Sequence, residues 1–130
     1  MKAHQIFYLL GNALLHALHL AIILFVMTGW LFSALRPYHL ALIVLMLGCW
    51  FILGRWLGAG YCPVTDWQWK LKAHYGYGKP DASYIRYVLQ KVTGHELNPV
   101  TVDKSVLICT VIITGISLCL NIWQVIPHPF

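Results

Sequence analysis

The chain has 130 residues, of which 59% are hydrophobic and only 10% charged, and its net charge is +5. That length allows one domain at most, and soluble domains carry about 25% charged residues, so a water-exposed globule is excluded. The basic excess would also suit nucleic acid, but no nucleic-acid motif accompanies it, and in so apolar a chain it sets membrane topology.

No Lys, Arg, Asp or Glu occurs from Ala3 to Leu35, from Pro37 to Gly54, or from Ser105 to the end. A membrane crossing needs about 20 mainly apolar residues, so three transmembrane helices are expected, at about 7–32, 39–57 and 102–123. The first apolar run is longer than the core of a signal peptide and ends on the bulky Trp30 and Phe32 without a small-residue cleavage site, so it reads as a retained span. The expected fold is an all-α integral membrane protein, one membrane domain over residues 1–130, with two short helices in the loop of about 58–98 between spans two and three.

Span one carries Asn12, His16 and His19, spaced four and then three residues apart, which puts them on one helix face. Intramembrane histidines are candidates for function, and a neutral imidazole ligates haem or a chlorophyll-type pigment. Arg55, near the end of span two, could join His16 or His19 around a quinone or lipid head group, or serve as a topology anchor that snorkels or pairs with Asp66. A haem held by two histidines of this chain is disfavoured, because His39 lies near the opposite face from His16. Gly54 and Gly58 have the small-xxx-small spacing that lets helices approach.

The stretch GYCPVTDWQWK follows. Thr65 and Gln68 have capping-box spacing, Val64 and Trp69 that of a hydrophobic staple, and Asp66 suits the positive end of the helix dipole. Pro63 stops the preceding segment, and the stretch reads mainly as a helix start at the membrane surface. Cys62 would be reactive only with a base or cation beside it, for which His74 and Arg55 are the candidates. A second helix is expected from about Ala82 to Thr93, capped by Asp81 and ended by Gly94, with Ile85, Val88, Leu89 and Val92 on one face. It would lie on the leaflet or against the ends of the spans. Asn98-Pro99 reads as the next helix start.

Span three carries Thr110, Thr114, Ser117 and Asn121 at the same helical spacing. The two polar stripes overlap in depth and could face each other, either as interhelical hydrogen bonds that hold the bundle together or as a ligand site. Eight of the nine basic residues lie before span one or from the end of span two to the start of span three. The positive-inside rule then puts the N-terminus and long loop in the cytoplasm and the C-terminus outside. Cys49, Cys62, Cys109 and Cys119 form no CxxC pair, so neither a disulfide nor a zinc site is expected.

GYCPVTDWQWKLK, SYIRYVLQKVTG and the following NPVTVD together resemble a family of small bacterial membrane proteins catalogued as a domain of unknown function, with a Cys-Pro-Leu-Thr loop after span two and a histidine in span one. Val64 here replaces the Leu, and Gln68 stands where many members have Glu. The resemblance implies a bacterial inner membrane, with a periplasmic C-terminus, and carries no activity.

The four acids Asp66, Asp81, Glu96 and Asp103 are scattered, and no phosphate loop, nucleophile elbow or metal-helix motif occurs. An enzyme is therefore not expected. The first expectation is an accessory or structural subunit docking onto lipids and larger integral membrane subunits, with no nucleic acid. The alternative is a binding module for haem, chlorophyll-type pigment, quinone or lipid.

Overall fold

The computed structural model describes residues 2–58, 60–78, 80 and 83–127. All its elements are helices: α1 (Ala3–Thr28), α2 (Arg36–Gly48), α3 (Gly54–Leu57), α4 (Pro63–His74), α5 (Tyr84–Thr93) and α6 (Pro99–Val125). A 3₁₀ turn, Gly29–Leu31, extends α1, and a π turn, Cys49–Leu53, joins α2 to α3. Three continuous helical stretches result, Ala3–Leu31, Arg36–Leu57 and Pro99–Val125, with mean hydropathies of 2.1, 2.1 and 2.2. All three are long and apolar enough to cross a bilayer, so the chain is an all-α membrane protein.

Each span starts earlier than its apolar window, because backbone hydrogen bonding does not stop at the hydrocarbon edge. Pro37 falls in the first turn of α2 and Pro99 opens α6, where a missing N–H costs nothing. Asn98 caps α6, accepting from the N–H groups of Val100 at 2.9 Å and Thr101 at 3.2 Å. Gly94 ends α5 with φ +72°, a conformation that glycine reaches without steric cost. The expected Asp81 cap lies outside the described residues; the observed cap is Ser83, whose hydroxyl accepts the Arg86 N–H.

The capping box in α4 is overturned. α4 begins at Pro63 with Cys62 as the extended residue before it, so Thr65 and Gln68 already lie inside the helix. Proline's fixed φ favours the earlier start, and both side chains are committed elsewhere. The staple fails with the box: Trp69 is buried and meets the Tyr87 ring edge-on, with centroids 4.9 Å apart. The close-packing role given to Gly54 and Gly58 also fails at Gly58. Its surroundings are open and its φ of +112° ends α3.

At the end where α1 turns into α2, Val26, Ile43 and Ile113 form the buried core, one residue from each span. Gly29 permits this approach: a Cβ there would lie 2.8 Å from the His39 ring and 2.9 Å from the Phe25 ring. At the loop end the arrangement differs. α4 packs along α1, and α5 packs onto α6. Gly11 faces Leu71 closely, at 3.1 Å from a notional Cβ. The loop helices are therefore docked against the spans rather than lying free on a leaflet.

A candidate polar site between α1, α4 and α5

α4 runs antiparallel to α1. Thr65, near its start, meets His19; Gln68 meets Asn12; and Lys72, near its end, donates to the Tyr8 hydroxyl at 3.4 Å. The heptad-like spacing of α1's polar residues thus matches the spacing of partners on α4. α5 adds Tyr84, buried with its ring flat on His19, centroids 3.7 Å apart and planes 5° apart. Tyr84 and Tyr87, rather than the aliphatic stripe, are the residues that dock α5; Leu89 is 40% exposed and Val92 79%. The burial-weighted clue was aromatic: tyrosines three apart in SYIRYV share a helix face.

His19 is fully engaged. Its Nδ1 lies 3.3 Å from the Leu15 carbonyl oxygen, which can only accept, so Nδ1 carries the proton. Nε2 is then left to accept from the Thr65 hydroxyl at 2.9 Å. His16 is engaged on one side only. Its Nδ1 lies 2.9 Å from the Tyr84 hydroxyl, and Nε2 has no hydrogen-bond partner among the described residues. The phenol is the better donor of the pair, so Nδ1 accepts and Nε2 keeps its N–H. Burial, and then the neighbouring Tyr87, raise the pKa of Tyr84, so the donor stays protonated. Gln68, fully buried, donates to Asn12 Oδ1 at 3.1 Å, while its own carbonyl oxygen has no hydrogen-bond partner among the described residues.

Cys62 sits beside this cluster, its Sγ 3.9 Å from His19 Nε2. The expected neighbours are not there: His74 is at the far end of α4, roughly 18 Å along the helix axis, and Arg55 is exposed on α3. Arg55 does not join His16 or His19 among the described residues. Asp66 instead accepts from Lys70, at 2.8 Å, and from the Tyr61 hydroxyl, at 3.0 Å. That contact with Asp66 raises the pKa of both Tyr61 and Lys70.

The two polar stripes do not face each other. α1's stripe is taken by α4 and α5, which offer side chains at its depth. On α6, Thr110 and Thr114 donate back to the carbonyls of Val106 and Thr110. Ser117 meets His39 Nδ1 at 2.8 Å, and Asn121 donates to the Arg36 carbonyl at 3.1 Å. His39 is completely buried, and its Nε2 donates to the Val26 carbonyl at 2.8 Å. It lies one turn inside α2, which starts at Arg36.

A groove of about 360 Å³ opens between α1 and α5, with His16, Leu20, Tyr87, Val88 and Lys91 among its walls. No cluster of three metal-ligating side chains occurs among the described residues. No curated protein and no solved structure matches the chain. A family profile does match, over residues 9–122, which takes in both loop helices, the second span and most of the first and third. With that coverage the chain belongs to DUF2784, a protein family of unknown function.

Proposed function

We propose that the chain is an accessory or structural subunit of a larger assembly in the bacterial inner membrane, with its N-terminus and α4–α5 loop cytoplasmic and its C-terminus periplasmic. One observation carries this reading: apart from one ring nitrogen of His16, the intramembrane polar groups of the two stripes and of His39 are spent on contacts within the chain. His19 and His39 have both ring nitrogens engaged, and Ser117 and Asn121 close the seam between α2 and α6. Such bonds average about 0.6 kcal/mol in membrane proteins, which is enough to fix a small bundle and orient its apolar faces for docking. Large apolar side chains stand exposed along all three spans, Leu14, Val44 and Ile112 among them. Co-purification from native membranes in mild detergent tests the reading. Stoichiometric partner subunits are expected; a small particle without partners would sink it. A C-terminal reporter active in the cytoplasm would reverse the orientation.

A second reading has its own support. His16 holds its ring in place through Tyr84 and turns a spare N–H toward the groove, which suits a binding module for a small amphiphile. His19, with no spare nitrogen, is unsuited to ligate haem or a pigment.

A further inference from the structure

We propose that the groove between α1 and α5 holds an anionic phospholipid, with its phosphate at Lys91 beside the neighbouring Lys72 and an acyl chain passing His16 and Val88 toward Leu20. This rests on the second reading above.

Two lysines approach one tyrosine ring beside this groove. Lys72 Nζ lies 5.4 Å and Lys91 Nζ 5.5 Å from the centroid of one ring, that of Tyr87. Among the described residues neither ammonium meets a carboxylate; the ion pair present there is Lys70–Asp66. Burial pulls the Lys72 pKa down, but hydrogen bonding to Tyr87 and Tyr8 outweighs it and the net shift is upward, so the charge persists. Two ammonium groups near one groove, neither neutralised by a carboxylate among the described residues, favour an anionic head group.

The depth agrees. At 1.5 Å per residue, His16 lies about 21 Å from Trp30, which leaves it roughly 9 Å inside the far edge of a 30 Å hydrocarbon core. α5 lies at that far edge: Ser83, before its first turn, bonds Asp103, which is about 30 Å along α6 from Trp123, and Gln90, in its last turn, accepts from Leu97 just before α6. Lys91 therefore lies at head-group level, His16 below it at the level of the upper acyl chain, and Leu20, about 15 Å from Trp30, near the middle of the core. A quinone would use the His16 N–H but has no use for two unpaired ammonium groups. A free phosphate would use the cations but not the apolar wall.

The test is native mass spectrometry of the full chain released from nanodiscs of phosphatidylcholine containing a minor share of phosphatidylglycerol. Phosphatidylglycerol should be retained preferentially, and Lys72→Gln and Lys91→Gln should each cut retention about fivefold. Lys91→Arg should retain it. Lys70→Gln, which removes a cation already paired, should change little. Val88→Trp fills the groove with the charges intact and should also expel the lipid; circular dichroism verifies that each variant is folded. Loss of a neutral lipid in Val88→Trp, with the lysine variants silent, would overturn the anionic ligand and leave the groove as a binding site. Retention unaffected by every variant would overturn both. Displacement of the lipid by inorganic phosphate alone would overturn the role of the apolar wall.

Discussion

The imidazole of His19 lies flat on the phenol ring of Tyr84, 3.7 Å between centroids, and that phenol's hydroxyl reaches His16 one turn away. One loop residue thus engages two intramembrane histidines in different ways. Tyr84→Phe removes only the hydrogen bond and should cost about 0.6 kcal/mol. Tyr84→Ala also removes the buried ring and should cost about 3–5 kcal/mol. Denaturant unfolding in detergent micelles measures both; equal losses would show that the stack contributes nothing.

The same residue predicts a pH dependence. The pKa of Tyr84 is raised in the folded protein above the ordinary value of 10.0. The unfolded chain therefore loses its phenol proton first, and the stabilisation from keeping Tyr84 neutral is complete below pH 10 and lost as pH climbs through the folded value. Docking of α5 should weaken in that alkaline window, seen as faster amide hydrogen exchange in Tyr84–Thr93. Tyr84→Phe should remove the dependence.

Thr65 separates two accounts of α4. A helix cap there would tolerate Asp, which is among the better N-cap residues. A hydroxyl donating to His19 would not. Thr65→Ser should be nearly neutral, and Thr65→Val should cost about 0.5–1.5 kcal/mol. Thr65→Asp should cost at least as much as Thr65→Val at neutral pH. A gain in stability with Asp would restore the capping role.

Gly29→Ala should cost about 1–3 kcal/mol, since the added methyl overlaps a His39 ring that two hydrogen bonds hold in place. Gly115→Ala, with open space around it, serves as the matched control. A double-mutant cycle on His39→Leu and Ser117→Ala should show a coupling of about 0.6–1.7 kcal/mol.

The spans were legible because charge-free windows of membrane length have one physical reading. The helix starts at Asn98-Pro99 and the stop at Gly94 were legible because they depend on local chemistry. Thr65 and Gln68 misled for the opposite reason. Their spacing satisfies a local motif, while the structure uses them for contacts with Asn12 and His19 that spacing within one helix cannot reveal. The polar faces of α1 and α6 were likewise correct as faces. Their partners were not, because pairing two helices assumes that nothing else reaches their depth. α4 and α5 do reach it.

The docking of α4 and α5 onto α1 also sets an order of events during biosynthesis. The partners of His19 and His16 come 46 and 68 residues later in the chain. At about 5–20 residues per second, the ribosome needs roughly 3–14 s to supply Tyr84 after His16 has been made. The hairpin of α1 and α2 is complete at Leu57, before Thr65 and Gln68 supply the partners of His19 and Asn12 and well before Tyr84 supplies that of His16. A chain cut short after Leu57 would therefore keep Asn12, His16 and His19 without the side-chain partners that α4 and α5 supply.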